Sequence, residues 1–172
     1  MPPNHTPTSI PNVIIFLGHF NDIDHISPIA FKMIQTKKAS PIIIITDPFF
    51  DIESDYRLMW LRNQWGIRIY KFFDFNPRFR IVSYLFGKLC LYASGLRSGR
   101  TLTFLVRALG KLFYRTDWAR SVIRTYNPST LVFEWVHPSG IFGAMIRAAK
   151  EVNIPSLSLP HGMFIYTNDF VT

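Results

Sequence analysis

The chain has 172 residues, of which 48% are hydrophobic and 16% aromatic, so it can bury a core but is too short for two ordinary domains. Its single cysteine excludes an intramolecular disulfide framework, and no Cys/His spacing resembles a structural zinc site. Of the net charge of +8, residues 76–126 supply +9, from ten lysines and arginines and one aspartate, which leaves −1 for the other residues. We therefore expect one cytoplasmic domain with a basic segment in its middle.

The first eleven residues are predicted to be a loose lead-in to a domain that spans residues 12–172. They are polar and contain prolines, which does not match the basic and apolar stretches of a signal peptide. No segment supplies the roughly 18 uninterrupted apolar residues of a membrane-spanning helix. The nearest one, residues 81–96, contains Lys88.

Short apolar runs alternate with helical patterns along the first half of the domain. A buried strand is predicted at 13–17 and is ended by Gly18, and a helix follows at 26–36, with Ser27 as its N-cap and Pro28 in its first turn. A second strand is predicted at 41–46, a helix at 53–65 that stops at Gly66, and a third strand at 67–72. This βαβαβ order predicts a parallel sheet with right-handed crossovers.

The basic segment 76–126 interrupts that rhythm with two or three predicted helices. The alternation then resumes with a strand at 131–135, a helix at 139–152 and a fifth strand at 155–159. The whole pattern predicts a Rossmann-like α/β fold, with about five parallel strands, helices on both faces and a basic helical insertion. Ligands of such sheets bind beyond the carboxyl ends of the strands, where the strand order reverses.

Three of the five histidines lie in loops that follow predicted strands. His19 follows the first strand, His137 the fourth and His161 the fifth, and in the order 3-2-1-4-5 these strands are neighbours. A neutral imidazole accepts a proton near pH 7, which suits a general base that acts on a hydroxyl group. The alternative for each histidine is a plain hydrogen bond to the backbone.

Other residues in the same loops add binding groups. Gly162 lets backbone amides approach a ligand after His161, and Ser139 and Gly140 open a helix whose N–H groups suit a phosphate or carboxylate. The alternative for Ser139 is ordinary capping. Glu134 interrupts an apolar strand, which requires either a structural hydrogen-bond partner or a functional role.

Several function classes lack their sequence signals. No Gly-x-Gly-x-x-Gly follows the first strand, so a nicotinamide dehydrogenase is disfavoured, and neither a Gly-x-Ser-x-Gly elbow nor a His-Glu-x-x-His zinc motif occurs. We expect no metal site. In the basic segment, cations alternate with aromatic residues, which is typical of helices at an anionic membrane surface. The alternative is core-packing helices with a solvated face; nucleic acid is disfavoured because no recognised motif accompanies the charge.

The segments 134–140 and 154–162, with the helix between them, resemble the N-terminal half of GT-B-type transferases of bacterial surface-carbohydrate synthesis. The nearest groups are the CDP-glycerol glycerophosphotransferase-like and capsule-polysaccharide enzymes, and more distantly the UDP-N-acetylglucosamine 2-epimerases. The resemblance implies an acceptor-side domain in which His161 is the general base. It implies that Gly18 and His19 lie where the loop after the first strand meets the acceptor. The further candidate binding residues rest on their positions at the strand ends and not on the resemblance: Glu134, His137, Ser139, Gly140 and Gly162.

In that family a second domain binds a nucleotide-activated donor, and the chain ends at Thr172 without one. We expect a fragment that is inactive alone or a partner chain that binds the donor, with no other cofactor. The resemblance also implies a carbohydrate or lipid-linked acceptor and peripheral association with the inner face of the plasma membrane. Two alternatives stay open: a membrane-peripheral binding or assembly module on a Rossmann scaffold, and half of a sugar-nucleotide 2-epimerase.

Overall fold

The computed structural model describes residues 10–18, 21–47, 50–75, 116–133 and 140–159. Its elements in chain order are β1 (Asn12–Leu17), α1 (Asp22–Gln35), β2 (Ser40–Ile45), α2 (Tyr56–Trp65), β3 (Arg68–Lys71), a 3-10 turn (Phe72–Asp74), α3 (Asp117–Tyr126), β4 (Pro128–Phe133), α4 (Gly140–Glu151) and β5 (Ser156–Ser158). The five strands form one parallel sheet in the order β3-β2-β1-β4-β5, which confirms the predicted strand order.

Each face of the sheet is covered by a different pair of helices. Val13, Ile15 and Leu17 of β1 pack in one core with residues of α1 and α2, whereas Ile14 and Phe16 pack in a second core with α3 and α4. Since alternate residues of a strand point to opposite faces, a strand covered on both sides must be apolar throughout. The predicted Rossmann-like arrangement with helices on both faces is therefore confirmed.

Helix α1 begins at Asp22, four residues before the predicted start, so the predicted N-cap at Ser27 is wrong. Asp22 and Asp24 lie in the first turn, where carboxylates interact favourably with the helix dipole. Pro28 lies inside the helix, where it removes the hydrogen bond that the carbonyl of Asp24 would accept. The Oγ of Ser27 is buried without a hydrogen-bond partner among the described residues.

Helix α2 begins at Tyr56 rather than at the predicted residue 53, because Asp55 has an extended backbone and caps the helix. Its carboxylate accepts hydrogen bonds from the backbone N–H groups of Arg57 and Leu58. The predicted end at Gly66 is confirmed: this glycine has φ of 65°, the left-handed conformation that closes many helices.

The remaining bounds differ from the predictions by a few residues. Strand β4 begins at Pro128 instead of 131, since proline is tolerated as the first residue of a strand, and β3 ends one residue early because Phe72 begins the 3-10 turn. Of the predicted basic insertion, only Thr116 and α3 lie among the described residues. None of the helices in the described ranges is long and apolar enough to cross a membrane.

Candidate functional site

The candidate site lies at the carboxyl edge of the sheet, beyond the ends of β1, β4 and β5. Phe16 is opposite Phe133, and Phe133 is opposite Ser158, so these three strands end side by side. The pairing continues for one residue past β5, where the backbone N–H of Leu159 donates to the carbonyl of Phe133 at 2.7 Å. The loops after the three strands therefore start close together. The strand order reverses between β1 and β4, which lie side by side at this edge.

Gly18 is the first residue beyond β1 and is held by Asp22. The backbone N–H of Gly18 donates to Oδ2 of Asp22 at 2.9 Å, and the carboxylate-bearing residue is 1% exposed. A Cβ built on Gly18 would lie 3.6 Å from that oxygen and 3.8 Å from the ring of Phe142. These are ordinary contact distances, so a side chain at residue 18 would not clash with its neighbours. The notable feature of Gly18 is therefore the hydrogen bond of its backbone N–H to Asp22.

Asp22 is a site residue that the sequence analysis missed. It closes the loop between β1 and α1, because its carboxylate in the first turn of the helix binds the amide at the end of the strand. The N-terminus of α1 favours this negative charge, which accounts for a carboxylate in a buried position. The sequence feature that could have indicated Asp22 is its place four residues after the glycine that ends a buried strand.

A second contact fixes the neighbouring strand end. Both the backbone N–H and the Oγ1 of Thr46 donate to the carbonyl of Leu17, at 2.9 and 3.0 Å. The end of β2 is thereby tied to the end of β1 where the loop with Gly18 begins. Thr46 was predicted only as the last residue of a strand, and no local pattern indicates this hydroxyl contact.

The core next to these strand ends is aromatic. The rings of Phe16 and Phe133 stack with centroids 5.0 Å apart, and Phe142 of α4 contacts both edge-on, at 6.2 and 5.7 Å. Helix α4 starts at Gly140, one residue after the predicted start. The first N–H groups of a helix have no partner within the helix, and the binding of an anionic group at this end of α4 stays a prediction.

The structure thus brings two of the predicted site residues, Gly18 and Gly140, to the same edge of the sheet. The other six, among them the predicted base His161, lie outside the described residues: His19, Glu134, His137, Ser139, His161 and Gly162. Within the described ranges, no cluster of histidine, cysteine, aspartate or glutamate could hold a metal ion.

Comparisons with known proteins add nothing to this geometry. No protein-family model matches the chain, and neither the curated proteins nor the solved structures contain a match.

Proposed function

We propose that the chain is the acceptor-side domain of a glycosyltransferase or glycerophosphotransferase of bacterial cell-surface polysaccharide synthesis. The observation that carries the proposal is the strand order, in which β1, β4 and β5 end side by side. His19, His137 and His161 follow the last residues of these strands by two, four and three positions. A chain covers at most about 3.5 Å per residue, so each histidine is within roughly 14 Å of its strand end.

The chemistry needs one base and a surface that orients a hydroxyl group. His161 accepts the proton of the acceptor hydroxyl while that oxygen forms a bond to the donor, at phosphorus in a glycerophosphotransferase or at the anomeric carbon in a glycosyltransferase. The bond from that atom to the nucleotide breaks, and the nucleotide leaves with the electron pair. Gly18, His19, Glu134, His137, Ser139, Gly140 and Gly162 are the proposed acceptor contacts.

In this proposal the donor is bound opposite this edge, by a second domain or by a separate chain. We therefore propose to assay transfer with the domain joined to, or mixed with, its donor-binding partner. Nucleotide release from CDP-glycerol and from UDP-sugars would be measured in the presence of membrane-derived acceptors. Nucleotide release that requires both this domain and the donor-binding partner supports the proposal. The absence of nucleotide release with every donor contradicts it.

The role of His161 is tested by His161→Ala, with His25→Ala as the matched control. His25 is an exposed histidine of α1 and is not one of the proposed contacts. Removal of a general base costs about 10²- to 10⁴-fold in rate, so we expect a loss of that size for His161→Ala and an unchanged rate for His25→Ala. An undiminished rate in His161→Ala removes the assigned role.

A second candidate is a membrane-peripheral binding or assembly module for which the sheet is only a scaffold. The observation that favours it is the charge of +9 on residues 76–126. Transfer activity that depends on His161 would decide for the enzyme. Vesicle binding that requires the cations of 76–126, with no transfer even when a donor-binding partner is supplied, would decide for the module.

A further inference from the structure

Helices α1 and α2 expose a group of aromatic side chains that we call the α1–α2 aromatic surface: Phe31, Tyr56, Trp60 and Trp65. Tyr56 is 80% exposed, Trp60 44% and Trp65 37%. Phe31, Trp60 and Trp65 contact one another, with ring centroids 4.7 to 6.0 Å apart. Beside them lies an open hollow of about 640 Å³, lined by Ser27, Pro28, Phe31, Tyr56, Arg57 and Trp60.

The arginines of this surface are already neutralised. Arg57 binds the carboxylates of Asp24 and Asp55, and Arg62 binds Glu53 at 2.6 Å. These ion pairs hold α1, α2 and the segment before α2 together. Little of the positive charge of the two arginines is left to attract an external partner.

Three exposed lysines of α1 and of the turn after it are different. Lys32 follows Phe31 in α1, and Lys37 and Lys38 lie in the turn after that helix; all three are exposed. Lys32 donates to the side chain of Gln35, but no carboxylate in the described part of the chain pairs with any of the three lysines. Since α1 and α2 both run opposite to the strands, Lys37, Lys38 and Trp65 lie toward the same edge of the sheet.

We propose that the α1–α2 aromatic surface is a contact site for an anionic lipid bilayer. Indole and phenol rings, apolar with one polar group, are favoured at the boundary between headgroups and acyl chains. Lysines around them are attracted to anionic headgroups within a Debye length. An uncharged ligand would gain binding energy from the rings but none from the positive charge of the lysines. The combination of rings and lysines therefore favours an anionic lipid surface.

The α1–α2 aromatic surface does not include the described end of the basic segment 76–126. Helix α3, the described end of that basic segment, packs on the other face of the sheet from α1 and α2. The inference also does not depend on the transferase reaction, because it rests on α1, α2 and their lysines alone. Its failure would leave the test of His161 unchanged.

The test is binding of the full chain to vesicles of phosphatidylcholine alone and of phosphatidylcholine mixed with phosphatidylglycerol. We expect flotation with the anionic vesicles only. Brominated phospholipid should quench the tryptophan fluorescence of the Trp135→Phe chain, and adding Trp60→Phe/Trp65→Phe to that chain should remove most of the quenching. Trp118 is 7% exposed in the core between α3 and the sheet, so it should contribute little.

Charge reversals locate the contact without disturbing the core. Lys37→Glu/Lys38→Glu should weaken binding by at least about tenfold, because each lysine near an anionic surface is worth on the order of 1 kcal/mol. Arg147→Glu/Lys150→Glu makes the same charge change on exposed residues of α4, outside the basic segment, and should change binding by less than about twofold. Circular dichroism checks that each variant is folded.

Three results of the vesicle experiments would overturn the proposal. The first is equal binding to neutral and anionic vesicles, or no binding to either. The second is binding without quenching of Trp60 and Trp65, and the third is an equal loss in the two charge-reversed variants, which would transfer the contact to another face. Concentration-dependent dimerisation that buries Trp60, or binding of a soluble glycan there without lipid binding, would likewise overturn it.

Discussion

At the scale of single residues, Asp22 is the side chain on which the candidate site most depends. It is 1% exposed and accepts the backbone N–H of Gly18, so it joins the end of the central strand to the start of the next helix. A buried polar group that loses its partner costs about 1–3 kcal/mol, more than the hydrogen bond contributes when it is made. The geometry of the loop that carries His19 is therefore expected to depend on a residue outside that loop.

We predict that Asp22→Ala lowers the free energy of unfolding by about 1–3 kcal/mol, because the half-buried amide of Gly18 loses the carboxylate that accepts its hydrogen bond. Asp22→Asn keeps an acceptor oxygen and should cost less. Urea unfolding followed by circular dichroism measures both changes. Asp24→Ala, in the same turn but with a carboxylate 66% exposed, is the control and should cost less than about 1 kcal/mol. Equal losses for Asp22→Ala and Asp24→Ala would contradict the prediction.

At the scale of elements, the start of α2 combines a helix cap with an ion pair. Burial by itself raises the pKa of Asp55, but the hydrogen bonds from Arg57 and from the backbone of Leu58, with the charge of Arg57, lower the pKa below its ordinary value. The same contact, chiefly the hydrogen bond that Arg57 donates to the carboxylate of Asp55, raises the pKa of Arg57. The pair also reaches Asp24 in α1, so one arginine connects two helices and the loop before the second.

This ion pair predicts a pH-dependent contribution to stability. The pKa of Asp55 is lower in the folded chain than in the unfolded one, so its contribution is fully present above the ordinary value near 3.8 and is lost as the pH falls through the folded value. At pH 6.5, Asp55→Asn should lower the free energy of unfolding by about 1 kcal/mol, a figure discounted for solvent screening.

The measurement is urea unfolding of the wild type and of Asp55→Asn between pH 2.5 and about 7, and the difference between them should shrink toward the acid end. Glu53→Gln removes one charge from the exposed pair with Arg62 and serves as the control, with a change below about 0.5 kcal/mol at any pH. A difference that stays constant with pH would contradict the assigned ion pair.

The elements also show which features a sequence can predict. Strands β1 and β2 were predicted to within one residue at each end, because a strand buried on both faces is apolar throughout and needs no tertiary information. The start of α1 was predicted wrongly because Ser27 and Pro28 match a local helix start, whereas the helix packs against β1 and continues past that proline. Local signals therefore fail where a tertiary contact outweighs the cost of one lost hydrogen bond.

The candidate site was predictable to a smaller extent. The strand order and the alternation of elements indicated which loops share an edge, and Gly18 and Gly140 lie there. The sequence did not indicate Asp22, because its role depends on the distance from its carboxylate to one backbone amide, and this distance exists only after β1 and α1 have packed. The hydroxyl contact of Thr46 was unpredictable for the same reason, because its partner Leu17 is 29 positions earlier in the chain and meets it only in the folded sheet.

At the scale of the whole molecule, the sheet is unequally protected along its width. Ile14, Ile15 and Phe16 of β1 have no exposed surface, and β1 pairs with β2 on one side and β4 on the other. All three residues of β5 are exposed, and among the described strands β5 pairs with β4 alone. A central strand opens only when the molecule unfolds, whereas an exposed edge strand opens locally at a lower free energy.

We therefore predict that backbone amides of β1 exchange with deuterium only through global unfolding, and that those of β5 exchange at least about 100-fold faster through local opening. Hydrogen exchange at low urea concentrations measures this difference. The free energy of opening should fall steeply with urea concentration for the amide of Ile15 and hardly at all for that of Leu157. The reason is that only global unfolding exposes much new surface. The β2 amides, which are paired on both sides, are the internal control and should resemble β1. Equal protection of β5 and β1 would contradict the prediction, and would mean that β5 is covered by a part of the chain or a partner beyond the described strands.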